Sequence, residues 1–169
     1  SRIDLASGEV LIVPSCPAMA AAEASSTPVS RDLRGDNQLR ELFTQFLITT
    51  TGVKINTEEV VITPNSSSSG LAVSFVHCMM STRGKKIAIL TPTWFGYTGM
   101  AARHGVELKL VPTREEDGYL PTAELLDAAL TDDVGGIVIN NLSTPTGVLM
   151  TTGRLRELAE VIRKRPRLF

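Results

Sequence analysis

Cysteine is scarce. The 169 residues hold two, Cys16 and Cys78, too few for a disulfide scaffold, so a reducing compartment is the default and a cytoplasmic location the expectation. Neither sign of charge prevails: 17 basic and 18 acidic side chains leave a formal net charge of -1. Nucleic-acid binding needs a basic surface and is disfavoured. The one dense basic run, Arg163, Lys164, Arg165 and Arg167, reads as a solvated helix end, where cations suit the dipole. No window reaches the ~18 apolar residues of a membrane span. The charged stretch Ser1–Glu9 and the short run Val10–Val13 do not make a signal peptide. His77 and His104 lack metal-ligand partners at sensible spacing, so no metal is expected. There is no Walker loop, no dinucleotide fingerprint and no nucleophile elbow.

What is present describes a globular chain, 43% hydrophobic and 21% charged, with sequence enough for one real core. Residues 1–37, broken by Pro14, Pro17 and Pro28, read as an N-terminal arm leading into a domain over residues 38–169. Gly35-Asp36-Asn37 offers a cap for a helix over about 38–50, with Leu39, Leu42, Phe43, Phe46 and Leu47 on one face and Gly52 closing it. A βαβ pattern follows. Val60–Thr63 reads as a strand, residues 64–69 as a polar turn, and Gly70–Met80 as a helix with Leu71, Phe75, Val76 and Met79 as its buried stripe. His77-Cys78 reads as a core pair in that helix. Strands are predicted at 87–91, 106–111 and 136–140. Helices are predicted up to about His104, from a Thr122 cap to about Leu130, and over 151–164. Arg167–Phe169 reads as the start of another strand. Alternating strands and helices of this length predict a mostly parallel sheet with helices on both faces, a three-layer αβα, α/β fold.

Ligands of such sheets bind beyond the carboxyl ends of the strands, which singles out three loops. Asn65-Ser66-Ser67-Ser68-Ser69-Gly70 precedes a helix whose first N–H groups lack internal partners and whose dipole favours an anion. It serves equally as a serine-rich cap. Pro92-Thr93-Trp94-Phe95-Gly96-Tyr97 gathers three of the eight aromatic residues. Trp94 suits stacking on a planar ligand, Phe95 suits the core, and Tyr97 is open. Asn140–Gly147 is a polar loop with rigid turn chemistry. Glu115-Glu116-Asp117-Gly118 reads as a solvated loop.

These three loops, in this order, resemble the pyridoxal-phosphate enzymes of fold type I, specifically the class I/II aminotransferases, over about Asp32 to Phe169. The resemblance implies a transferase-like large domain. It implies that Asn65, Ser66 and Ser67 surround the phosphate of pyridoxal 5'-phosphate and that Trp94 stacks on its ring. Asn141-Leu142-Ser143-Thr144-Pro145-Thr146-Gly147 is similar to the family's Asn-Pro-x-Asn-Pro-Thr-Gly loop, which brings Thr144 to the ring hydroxyl. The function implied is transfer of an amino group between an amino acid and a 2-oxo acid, in a homodimer, with no membrane or nucleic-acid partner.

The chain departs from the family pattern at several points. Thr144 stands where the family has a second Asn, Leu142 replaces a Pro, and Asn65 stands where the phosphate turn usually has Gly. The first aromatic residue is Phe43, so the N-terminal Tyr of many relatives has no counterpart. Lys54, Lys85, Lys86, Lys109 and Lys164 sit in the wrong contexts for the Schiff-base lysine, so no catalytic residue is assigned within this chain. The expectation is a fragment, or a chain completed by other polypeptide, since the sequence stops where a strand should begin. Other chemistry on the same cofactor (elimination, cyclopropane formation, decarboxylation), a truncated non-catalytic binding protein, and a nucleotide-binding α/β domain are the alternatives.

Overall fold

The computed structural model describes residues 32–63, 66–81 and 84–169, with Ser66 and residues 79–81 described by their backbone alone. Most of the arm predicted over residues 1–37 lies outside the described residues. The chain divides into two compact units, Ser1–Ser69 and Gly70–Phe169.

In the first unit, helix α1 (Asn37–Thr51) begins where Asp36 accepts the Leu39 N–H and ends at Gly52, whose φ of 70° is left-handed. Its buried side chains are Arg40 and Thr44. The apolar residues Leu39, Leu42, Phe43 and Phe46 of the expected apolar face are exposed. The reason is Arg40. Its guanidinium, 1% exposed, donates to the carbonyls of Val60 at 2.7 Å and Thr57 at 2.6 Å and to Asn37 Oδ1 at 3.0 Å. The polar side of the helix therefore faces residues 57–60. The strand predicted at 60–63 is also corrected. This segment forms no sheet; the Ile62 N–H bonds the Arg34 carbonyl at 2.9 Å instead. Arg34 binds both Asp32 and Glu58, and its hydrogen bonds hold the Asp32 carboxyl well below the usual range.

Helix α2 runs over Ser66–Ser81. It takes in four residues assigned from the sequence to the polar turn, because serine is accepted readily in a first turn.

In the second unit, strands β1 (Lys86–Thr91), β2 (Glu107–Pro112) and β3 (Val134–Val138) form a parallel sheet in the order β2-β1-β3. Helices α3 (Gly96–Arg103), α4 (Ala123–Ala129) and α5 (Thr152–Arg163) connect or follow them. Side chains alternate along β1. Ile87 and Ile89 join Phe75 and Cys78 of α2 and Tyr97 and Ala101 of α3. Ala88 turns to the other face, with Leu126 and Ala129 of α4 and Leu158 and Val161 of α5. This period of two gives each sheet face its own core and produces the expected three layers. Because β2 and β3 flank β1, right-handed crossovers send α3 and α4 to opposite faces.

Close approach explains two glycines. A Cβ on Gly84 would lie 2.3 Å from the Gly135 nitrogen, and one on Gly136 would lie 2.7 Å from Cys78 Sγ, so α2 rests directly on β3. Val76 is 39% exposed and so outside the expected buried stripe, and the Met79 side chain lies outside the described residues. His77 is exposed, with its ring 5.3 Å from that of Phe169, so it forms no core pair with Cys78. Phe169 donates to Gly135 O at 2.9 Å and accepts from the Ile137 N–H at 3.0 Å, a parallel pairing that fits the strand predicted to start there. Arg165 is not a solvated cation. It donates to the carbonyls of Leu130, Val161 and Asp127 and to the Asp127 carboxylate, tying the last turns of α4 and α5 together.

The amino edge of the sheet is tied by ions. Lys86 Nζ lies 3.0 Å from Glu107 Oε1 and 3.0 Å from Asp133 Oδ2. The Thr131 hydroxyl and then Lys86 hold the Asp133 carboxyl down at about 2, and Asp133 and Glu107 push the Lys86 ammonium up.

Two predictions follow from these contacts. Arg40→Ala leaves three acceptors without their donor and should cost about 2–4 kcal/mol in chemical denaturation; an unchanged midpoint would contradict the anchoring role. A carboxyl with a lowered folded pKa stabilises above its ordinary value and loses that contribution as pH falls through the folded one. Stability lost on acidification from pH 3.8 to about 2 should therefore be smaller in Asp133→Asn than in the parent, and equal losses would show that the ion cluster contributes nothing.

Candidate functional site

Parallel pairing puts the carboxyl ends of β1 and β3 side by side, Ile89 opposite Val138. From there the chain departs in opposite directions. After β1 it passes through residues 92–95 to α3, on the Phe75–Tyr97 face. After β3 it passes through residues 139–151 to α5, on the Leu126–Leu158 face. Two adjacent strands whose connections diverge in this way open a crevice, and open α/β sheets bind ligands there.

The two loops meet at that crevice. Leu90, Pro92 and Thr93 from the β1 side and Val138, Asn140 and Ser143 from the β3 side line one small cavity of about 20 Å³. That is room for about one water molecule. The cavity is completed by Thr113, Tyr119, Leu120 and Pro121, from the loop after β2. The sequence reading passed over these residues, although the strand-end rule applies to β2 as it does to β1 and β3. Thr113 fastens this loop to β1, its N–H and hydroxyl both donating to Thr91 O, at 2.8 and 2.7 Å.

Trp94 is half-buried at the rim, on the face of α2 and α3. Its ring meets Tyr97 edge-on at 5.4 Å and 87°. Leu71, in the second turn of α2, packs into the same cluster. The aromatic assignments change in one respect: Phe95 is 71% exposed and Tyr97 is the core ring. Burial pushes the Tyr97 phenol up.

Thr144 is half-buried in the turn of residues 144–146. That loop is drawn tight by hydrogen bonds from Gly147 N–H to Ser143 O at 2.8 Å and from Ser143 N–H to Val148 O at 3.0 Å. Asn141 spends its side-chain oxygen within the loop, accepting from the Met150 N–H at 2.8 Å. Ser66 and Ser67 belong to the first turn of α2, and Ser67 is exposed. Asn65 lies outside the described residues. The structure thus brings the loops of Trp94 and Thr144 to one rim, while the serine group is described only as a helix start. Lys86 is held at the opposite edge of the sheet, and Lys109 donates to Thr131 Oγ1 at 2.7 Å. The acidic turn at Glu115–Asp117 is exposed, as its composition predicts.

This architecture, a parallel sheet with helices on both faces and a crevice at its strand ends, defines a three-layer α/β class. Comparison with known proteins narrows it. The family Aminotransferase class I and II matches residues 2–169, and the chain belongs to that family. It is 28% identical over 127 residues to the probable aspartate/prephenate aminotransferase of Thermus aquaticus, covering 75% of this chain and 32% of that protein. It is 30% identical over 110 residues to a probable aspartate/prephenate aminotransferase of Rickettsia felis, covering 64% of this chain and 26% of that protein. Among solved structures, a single mutant of Thermus thermophilus aspartate aminotransferase superimposes with a TM-score of 0.81 at 23% identity, over 97% of this chain and 43% of that one. An aminotransferase from Mycobacterium tuberculosis gives 0.74 at 25% identity, over 87% and 37%. The chain therefore spans about a quarter to a third of the length of the curated relatives it matches.

Proposed function

We propose that this chain is the cofactor-holding portion of a pyridoxal-phosphate-dependent aminotransferase, which moves an amino group between an amino acid and a 2-oxo acid. The observation that carries the reading is the crevice at the ends of β1 and β3, whose cavity is lined by Thr93, the neighbour of Trp94, and by Ser143, the neighbour of Thr144. Membership of an aminotransferase family supports the reaction class.

The residues present fit the group. A half-buried indole suits a flat heteroaromatic ring. The opening turn of α2, rich in serine, suits a phosphate dianion, because its N–H groups point out of the helix end and no carboxylate stands in that turn. In this reading Asn65, Ser66 and Ser67 hold the phosphate, Trp94 covers the ring, and Thr144 donates to or accepts from the ring's edge. Its hydroxyl is shorter than an Asn amide and would reach less far. When bound, the cofactor supplies an electron sink for charge developing on the amino-acid substrate. The chain's own part is to bind, orient and cover. No residue of this chain is assigned the proton transfer. A cytoplasmic homodimer remains part of the proposal.

Two substitutions test the reading. Trp94→Ala should raise the Kd for pyridoxal phosphate about 2- to 10-fold, the worth of one aromatic contact, in a titration followed by cofactor absorbance. Ser66→Asp combined with Ser67→Asp should repel the phosphate and abolish saturable binding, with circular dichroism confirming the fold. Parental affinity in both variants would remove the proposed site.

A further inference from the structure

We infer that Gly96 and Tyr97 are positioning residues that set the plane of the Trp94 indole. The inference deepens the proposed site and rests on that reading wherever the cofactor is concerned.

Gly96 opens α3. Its φ is not positive, so the backbone does not demand glycine there. Space does. A Cβ on Gly96 would lie 2.2 Å from Trp94 Cη2 and 2.4 Å from both Cζ2 and Cζ3. The six-membered half of the indole thus occupies the volume that any side chain at position 96 would claim. The indole is folded back over the start of its own helix, and only glycine admits it.

Tyr97 supplies the second constraint. It is 6% exposed and presents its ring edge-on to Trp94. Behind it, Tyr97 stacks on Phe75 of α2 at 6.5 Å and 21°, and Phe75 is 2% exposed. A chain of rings therefore leads from the rim indole into one core of the second unit. Edge-on packing is the preferred contact of two aromatic quadrupoles, and it fixes an angle as well as a distance. Phe95, exposed and tilted at 49° with its ring 5.8 Å away, has no such backing and cannot fix the plane.

Gly99 provides an internal control. It lies in the same helix, and a Cβ there would meet nothing within 4 Å.

The experiment measures Trp94 emission in the full protein, with Trp94→Phe as the blank, and pyridoxal-phosphate affinity in the same samples. Gly96→Ala and Tyr97→Leu should redden the emission and increase acrylamide quenching. Each should weaken pyridoxal phosphate about 2- to 10-fold. Gly99→Ala and Tyr97→Phe, which keep the space and the ring respectively, should match the parent in both measurements. Parental emission and quenching in Gly96→Ala would overturn the inference, and so would a red shift of the same size in Gly99→Ala. Unchanged affinity in Gly96→Ala, where Trp94→Ala weakens it, would overturn the claim that the plane matters for binding. Unchanged affinity in Trp94→Ala itself would instead overturn the cofactor reading, and the emission comparison would still decide what holds the indole.

Discussion

Everything functional in this chain depends on a parting of the backbone. Two neighbouring parallel strands, β1 and β3, deliver the chain to the same rim, and from there it leaves toward opposite faces. A crevice results from the right-handed rule for crossovers before any particular side chain is considered. The two hydrophobic layers hold it open. Alternation along β1 commits Ile87 and Ile89 to one core and Ala88 to the other.

On that scaffold the division of labour is physical. One wall carries an aromatic ring backed by two more, which gives it rigidity. The other carries a loop that satisfies its own backbone, through Asn141, Ser143 and Gly147, and leaves Thr144 at its turn. Charge is kept away. The Lys86–Glu107–Asp133 cluster lies at the amino edge of the sheet, and the small cavity at the opposite end is lined by no charged side chain. That surface suits a ligand bringing its own phosphate and ring.

The second unit was largely legible in the sequence because its signals are local. Thr122 capping α4 and Thr151 capping α5 are short-range events, and the apolar runs of β1 to β3 are bounded by turn residues. What escaped was set by distant partners. Residues 60–63 have the composition of a strand, yet a strand exists only where another offers hydrogen bonds, and here Arg34 and Arg40 take that place. The apolar stripe of α1 was readable from its spacing, but not which side of the helix is covered: the guanidinium of Arg40 needed three acceptors and turned the helix accordingly. At the site, strand-end placement identified the Trp94 and Thr144 loops. It could not distinguish Phe95 from Tyr97 as the core ring, since that depends on where Phe75 stands. The motif resemblance and the family match agree on what kind of protein this is, while residue roles rest on chemistry.

The most direct test of the central claim is the quenching of Trp94 emission as pyridoxal phosphate is added, compared with pyridoxal lacking the phosphate. A ring lying against the indole while an anion rests on a helix start should give saturable quenching, with the phosphorylated form acting at markedly lower concentration. Quenching that fails to saturate, or that is equal for the two compounds, would contradict it.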